Sequence, residues 1–367
     1  MSINSLTDKK TNKSCLLVFR NRRDNDFVNT TEILNVMSGF GYFFDNVSFS
    51  AYNDSEEIVR AIKEGKENYA NIVICCPKDM EGAVKKFVGT LYGKPFDELG
   101  VLKAGVESVF LLYTDKENKL QFKDVKRVLD AKYGVKYENA CIKAVGAPAS
   151  KINAAIKAAK SVSTELDFNV IEKYGDVRID VIYTNKTSKM TLDEATRAIV
   201  GILNEYIYAI EDISLTQRLF QLLKLRRMSM SVAESFTGGG LSKSLVEVPG
   251  ISSVFYEGLN TYSNEAKIKR LGVQEITLKQ YGAVSPQTAY EMAEGLLNTG
   301  KCDISIATTG IAGPNSDNTK KPVGLSYIAI GSRDTVSVYK YNLKGDRENI
   351  TRTAINLALF LAFKTLK

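Results

Sequence analysis

Four short segments rich in glycine and hydroxyl side chains lie within residues 231–324 of this chain. They are Ser231–Gly240, Gly250–Ser253, Thr261–Lys267 and Thr308–Pro314. The first and the last contain or follow apolar runs that indicate buried strands, and glycine turns after strands are typical of parallel α/β sheets. Because ligands in such sheets bind beyond the carboxyl ends of the strands, we expect these two turns to border one crevice.

The chain has no histidine among its 367 residues. A Ser-His-Asp triad or a Cys-His pair needs an imidazole base, and most catalytic zinc sites use at least one histidine ligand. These classes of enzyme are therefore disfavoured. A general base would have to be Lys, Tyr, Asp or Glu, and a lysine could act as one only if burial or neighbouring positive charge lowered its pKa.

The composition, with 44% hydrophobic and 25% charged residues and a net charge of +7, is that of a globular protein. The basic residues form no long block, so nucleic-acid binding is not predicted, and anionic small molecules fit the charge equally well. Scattered cysteines indicate reduced thiols and a cytoplasmic location, and adjacent Cys75 and Cys76 cannot face the same side of a strand. The apolar stretch Ala354–Leu366 is too short to span a membrane, so no membrane association is predicted.

The length predicts two or three domains, all of mixed α/β class. In residues 1–137, strand-like runs alternate with helix-like runs, which predicts an α/β domain with a parallel sheet. The strand-like runs are Leu16–Phe19, Ile72–Cys76 and Ser108–Tyr113.

A different pattern follows in the rest of the chain. Residues 138–212 predict a small α+β module of order βαββα, ending in a helix over Leu192–Tyr208. Residues 213–367 predict a further α/β domain that contains all four glycine-rich segments.

The turn Glu234–Gly240 carries three consecutive glycines. Such a turn lets the backbone approach a ligand, and amides at a helix start can bind phosphate or carboxylate. A turn that merely permits tight packing of the helix on the sheet explains the pattern equally well.

Lys267 and Ser252 are the candidate base and nucleophile. Ser263 or Asn264 can cap a helix that holds Lys267 in its first turn, where the helix dipole disfavours a cation. Such a lysine is either solvated, which is the commoner case, or has a lowered pKa. Ser252 and Ser253 follow the turn signal Pro249-Gly250 and could also be ordinary loop serines.

Seven motifs together resemble the C-terminal domain of the CinA family, which also occurs alone as nicotinamide-nucleotide amidase. In this sequence they are Ala233–Gly239, Pro249–Ser252, Tyr262–Lys267, Gly282–Ser285, Gly310–Pro314, Lys321–Gly324 and Gly345–Arg347. Their order and spacing match the family over about residues 215–367.

The resemblance implies hydrolysis of the carboxamide of nicotinamide mononucleotide, in pyridine-nucleotide salvage, by a Ser-Lys mechanism without metal or cofactor. It assigns Ser252 as nucleophile, Lys267 as base and Tyr262 as a helper in proton transfer. Substrate contacts are expected from Glu234, Ser235, Thr237, Gly238, Gly239, Thr309, Gly310 and Arg347. The helix-start amides near Thr237–Gly240 and Arg347 are the candidates for the substrate phosphate. A homodimer is implied by family membership alone.

The rest of the chain resembles other parts of full-length CinA proteins. Residues 138–212 resemble their small KH-like module, and residues 1–137 a degenerate version of their molybdopterin-binding-like domain. Pro77–Met80 stands where the family has a glycine-rich loop with paired aspartates, so we expect no ADP-ribose pyrophosphatase activity. Two alternatives stay open: a catalytically silent nucleotide-binding or competence and DNA-damage accessory protein, and a retained pyrophosphatase.

Overall fold

The computed structural model describes residues 13–20, 28–114, 118–316, 320–333 and 335–367. The chain divides into two compact units. Unit 1 comprises Met1–Asn139, Thr164–Asn169 and Ile182–Leu192, and unit 2 comprises Ala140–Ser163, Val170–Val181 and Asp193–Lys367.

Unit 1 contains a five-stranded sheet in the order β2-β1-β3-β5-β4. Its strands are β1 (Ser14–Arg20), β2 (Asn46–Ala51), β3 (Asn71–Cys76), β4 (Val101–Ala104) and β5 (Glu107–Tyr113). All neighbours pair in parallel except β4, which runs antiparallel to β5. The predicted parallel α/β sheet is confirmed, although the sequence pattern located only β1, β3 and β5.

Helices cover both faces of this sheet. They are α1 (Val28–Gly39), α2 (Ser55–Asn68), α3 (Glu81–Tyr92) and α4 (Lys119–Tyr133). Successive residues of a strand point to opposite faces, so Leu17 packs in the core with α2 and α3, and Leu16 in the core with α1 and α4. Cys76 packs in the same core as Leu17, and Cys75 in the same core as Leu16, so the two cysteines face opposite sides of the sheet as predicted. All five cysteines lie in the described ranges, are buried and form no disulfide bond.

The next part of the chain forms a four-stranded sheet in the order β7-β8-β6-β9. Its elements are β6 (Tyr137–Val145), α5 (Ala149–Lys160), β7 (Asp167–Lys173), β8 (Asp176–Thr184), α6 (Lys189–Leu203) and β9 (Ile207–Ala209). The predicted βαββα order is confirmed. The predicted end of the last helix is wrong, because residues 207–209 pair antiparallel with β6 instead of continuing α6.

The C-terminal elements complete unit 2. They are α7 (Leu215–Arg226), β10 (Met230–Glu234), α8 (Gly240–Val246), β11 (Phe255–Asn260), α9 (Asn264–Leu271), α10 (Glu275–Tyr281), α11 (Pro286–Leu297), β12 (Ile304–Gly310), β13 (Leu325–Ser332), β14 (Thr335–Asn342) and α12 (Arg347–Leu366). A short 3-10 turn, Ile251–Ser253, precedes β11. Within the described ranges, no helix has the length and apolar character needed to cross a membrane.

The sheet of these elements has the order β11-β10-β12-β13-β14. Its first three strands are parallel, whereas β13 and β14 are antiparallel. Helices α7, α8 and α12 contribute to the core on one face, and α9, α10 and α11 to the core on the other. Glu234 of β10 lies in register with Asn260 of β11 and Thr308 of β12, so the chain leaves all three parallel strands at one edge.

Candidate active site

Glu234, the last residue of β10, anchors the glycine-rich turn that follows it. Its carboxylate is buried and accepts hydrogen bonds from the amides of Gly239, Leu241 and Ser242 and from the Ser242 hydroxyl, over 2.6–3.0 Å. These donors stand at the start of α8, where a carboxylate is favoured. Both oxygens of the buried Glu234 carboxylate are therefore occupied by hydrogen bonds within the protein. They are not available for the predicted contact with substrate.

The amides predicted to bind phosphate at the start of α8 also donate to acceptors within the protein. The Gly239 amide donates to Glu234, the Gly238 amide to the Ser235 carbonyl and the Gly240 amide to the Thr237 carbonyl. Gly238 and Gly239 adopt φ of 61° and 92°, a region that favours glycine. The backbone conformation of the turn thus favours glycine at these two positions. Their amides donate to acceptors within the protein.

Two amides of this turn remain available. Phe236 and Thr237 follow Ser235 directly, and in the part of the chain that the structure describes their backbone N–H groups donate to no acceptor. The Thr237 side chain is held at 2.8 Å from the hydroxyl of Thr308 on β12. The turn therefore presents a serine hydroxyl followed by two unused backbone donors.

Lys267 lies in the first turn of α9, where Ser263 caps the helix by accepting from the Ala266 amide. Its side chain has no exposed surface. The Nζ atom lies 3.1 Å from Ser235 Oγ and donates to the carbonyls of Thr261 at 2.8 Å and Tyr262 at 3.2 Å. Burial lowers the pKa of Lys267 to about 8, because loss of water destabilises the ammonium form. The commoner alternative, a solvated lysine, is excluded.

The predicted pair of Ser252 with Lys267 is not the pair that this chain forms. Ser252 is exposed on the 3-10 turn before β11, whereas Lys267 follows β11. The intervening strand has six residues and so spans about 20 Å. The neighbouring Ser253 donates its hydroxyl to Gly250 O. The serine that meets the amine is Ser235, which sequence reasoning had placed among the substrate contacts.

Tyr262 and Arg347 come together beside this pair. Tyr262 gives its carbonyl to Lys267, while its side chain is 63% exposed. Arg347, the first residue of α12, donates to the Gly313 carbonyl at 2.7 Å and approaches the Tyr262 hydroxyl at 3.5 Å. The guanidinium group of Arg347 thus lies beside the Tyr262 hydroxyl, and the Tyr262 backbone contacts the buried amine.

The remaining predicted contacts have internal partners. Thr309 is fully buried and donates its hydroxyl to Ala283 O at 2.7 Å, so it holds the loop before α11. Gly310 has no room for a side chain, since an added Cβ would stand 2.8 Å from Ser326 Oγ and 3.0 Å from a ring atom of Phe236. Both residues thus help to pack the glycine-rich turns, and the substrate contacts predicted for them stay predictions.

The corresponding edge of unit 1 carries different chemistry. Lys78 follows β3 in the predicted position of the family's aspartate loop; it forms an ion pair with Glu81 and donates to the Tyr113 hydroxyl at 3.0 Å. Its ammonium lies 4.4 Å from the centre of the Tyr113 ring. Across the described ranges, no group of three or more Cys, Asp and Glu side chains has the arrangement to hold a metal ion.

Comparisons with known proteins concern the C-terminal part of the chain. Residues 212–366 match the family model described as the CinA C-terminal domain. A CinA-like protein of Fusobacterium nucleatum is 42% identical over 187 residues, which cover 50% of this chain and 46% of that protein. A CinA-like protein of Kosmotoga olearia is 45% identical over 157 residues, covering 43% of this chain and 38% of that protein. Each match thus spans less than half of the relative's own length.

Solved structures also match a part of this chain. The crystal structure of the competence/damage inducible protein CihA from Agrobacterium tumefaciens is 37% identical, and the match covers 41% of this chain and 93% of that one with a TM-score of 0.40.

Proposed function

The C-terminal part of this chain belongs to the CinA family, and on that premise we propose that it hydrolyses the carboxamide of nicotinamide mononucleotide to nicotinate mononucleotide and ammonia. The observation that supports this most strongly is the hydrogen bond between the buried amine of Lys267 and the Ser235 hydroxyl. In a chain without histidine, this contact supplies both a nucleophile and a base.

The carbonyls around Lys267 suit it to the role of base. A neutral amine keeps two hydrogens, and the carbonyls of Thr261 and Tyr262 accept both. The lone pair is then free to accept the proton of Ser235. With a pKa of about 8, roughly a tenth of the amine is neutral at pH 7, so the reactive form is populated without another base.

The reaction follows from this arrangement. Lys267 takes the Ser235 proton as Ser235 Oγ attacks the amide carbon, and the amides of Phe236 and Thr237 stabilise the resulting oxyanion. Lys267 then gives its proton to the departing nitrogen, so that ammonia leaves and an ester on Ser235 remains. Water, deprotonated by the same amine, attacks the ester and releases the carboxylate product, which restores the Ser235 hydroxyl.

Substrate recognition is assigned to the two exposed groups of the site. The face of Tyr262 can stack on the positively charged pyridinium ring of the substrate. Arg347 can form charge-assisted hydrogen bonds with its phosphate. Because the amides at the start of α8 have internal acceptors, Arg347 carries the phosphate contact in this proposal without them.

A comparison of serine variants tests the assignment. Ammonia and nicotinate mononucleotide would be measured for the full chain and for Ser235→Ala, Ser252→Ala and Ser253→Ala. We expect Ser235→Ala to lose at least about a thousandfold in kcat/KM, as nucleophile removal does in other hydrolases, and the other two to keep activity within about twofold. Ser253→Ala is the matched control for a change on the 3-10 turn.

Two outcomes would contradict the proposal. An active Ser235→Ala together with an inactive Ser252→Ala would return the nucleophile to Ser252. Tight binding of nicotinamide mononucleotide without turnover by the unaltered chain would favour a silent nucleotide-binding protein.

A further inference from the structure

A cavity of about 560 Å³ lies in unit 1 beside the start of β5. The turn between β4 and β5 and the last two turns of α4 form its walls. Its volume is within the range of roughly 300–1,000 Å³ that is usual for small-molecule sites. The apolar part of the lining comes from Val106, Val128 and Ala131.

The charged residues described in the lining are lysines. Lys103 and Lys132 both line the cavity, together with the polar residues Ser108 and Tyr133, and among the described residues no acidic side chain lines it. The charge of Glu107, which precedes Ser108, raises the pKa of Lys132 and partly offsets the effect of burial. A concave surface with cations and no lining carboxylate attracts anions.

Within the described residues, the ammonium group of Lys132 forms no ion pair. Its Nζ donates to Asn71 Oδ1 at 2.6 Å and to Ala70 O at 3.2 Å, both neutral acceptors. Asn71 is buried and fixed in turn by donating to Ser14 Oγ and to the Tyr133 hydroxyl. Burial lowers the pKa of Lys132 to about 8. An ammonium group has three hydrogens, so one remains for a ligand. A negatively charged ligand would stabilise the protonated form of Lys132.

We propose that this cavity binds a small organic anion, with its phosphate or carboxylate bound by Lys103 and Lys132 and its apolar body against Val106, Val128 and Ala131. This site is independent of the amidase chemistry assigned to unit 2. It gives unit 1 a binding function at a position other than the Pro77–Met80 loop.

The test uses phenyl phosphate as the probe and benzyl alcohol as its uncharged counterpart, with binding to the full chain measured by titration calorimetry. We expect phenyl phosphate to bind at least about tenfold more tightly than benzyl alcohol, because a hydrogen bond to a charged group is stronger than one to a neutral group. At pH 8 the bound anion should also draw a proton onto Lys132, seen as a binding enthalpy that changes with the ionisation enthalpy of the buffer.

Variants locate the site. Val106→Trp fills the cavity from an exposed position and should abolish binding, while Lys103→Gln should weaken it about tenfold. Lys132→Met should weaken binding and remove the proton uptake. Lys86→Gln, an exposed lysine of α3 outside the cavity, is the matched control and should bind as the unaltered chain does.

Three results would overturn the proposal. They are no binding of phenyl phosphate by the unaltered chain, equal binding of the charged and uncharged probes, and binding that Val106→Trp and Lys103→Gln leave unchanged. Because these two variants alter exposed side chains, the test stands even if Lys132→Met fails to fold.

Discussion

Lys267 of unit 2 and Lys132 of unit 1 are two amines whose pKa is lowered by the same cause and whose hydrogen-bond partners differ. Burial lowers the pKa of each to about 8. Lys267 meets the hydroxyl of Ser235, which can lose a proton, whereas Lys132 meets the amide oxygen of Asn71, which has none to give. Loss of water therefore lowers the pKa of an amine in both units, and the hydrogen-bond partner is what suits one of them to act as a base.

The largest expected effect comes from removing the amine of Lys267, with removal of the Lys132 amine as the comparison. Lys267→Met should lower kcat/KM with nicotinamide mononucleotide at least about a thousandfold, because Ser235 loses its base. Lys132→Met should leave this activity within about twofold, since the proposed reaction uses only groups of unit 2. Equal losses in the two variants, with both proteins folded by circular dichroism, would mean that the distinction between the amines is wrong.

The dependence of activity on pH sharpens the comparison. The neutral form of Lys267 increases as pH rises through its pKa of about 8, so kcat/KM should rise tenfold per pH unit below that value and level off above it. At pH 6 the rate should be about a hundredfold below the plateau. Lys132→Met should leave the midpoint in place, and a flat profile between pH 6 and 8 would exclude an amine base.

Substitutions at the buried Glu234 and the exposed Glu265 compare the contributions of two carboxylates of unit 2 to stability. Glu234→Gln should lower the free energy of unfolding by about 2–4 kcal/mol, because an amide cannot accept from all the donors that the buried carboxylate binds. Glu265→Gln, at an exposed ion pair with Lys269, should cost under about 0.5 kcal/mol. Urea unfolding measures both, and equal effects would remove the anchoring role of Glu234.

The smallest expected effect separates two glycines that both have open space around them. Gly239→Ala should lower the free energy of unfolding by about 1 kcal/mol, because φ is 92° there. Gly82→Ala, in the first turn of α3, should raise it by about 0.5 kcal/mol, since the backbone is already helical. The same sign at both positions would contradict the assigned turn geometry.

The sequence predicted those features that depend on local pattern. Short apolar runs located the buried strands, the two-residue period of a strand separated Cys75 from Cys76, and Ser263 was one of the two residues predicted to cap α9. It missed the edge strand β2 and the short β4, whose stability depends on pairing with distant strands. Ile207–Ala209 likewise continue a helical pattern and become a strand only because β6 is beside them.

The active site shows more clearly that contacts between distant parts of the chain could not be predicted from local pattern. Lys267 could be recognised from its motif, but its partner depends on which strand ends lie side by side. Ser252 is nearer in sequence, yet β11 intervenes, whereas Ser235 is 32 positions away and follows the adjacent strand β10. The signal available was that Ser235 and Thr261 both follow neighbouring parallel strands, whose ends meet at one edge of the sheet.

The most direct test of the central claim is to find which serine carries the acyl group during turnover. Acid quenching with nicotinamide mononucleotide, followed by digestion and mass spectrometry, would locate the ester. The account predicts a nicotinate mononucleotide adduct on the peptide that contains Ser235, formed more slowly as pH falls below 8 and lost in Lys267→Met. An adduct on the peptide that contains Ser252, with Ser235 unmodified, would contradict it.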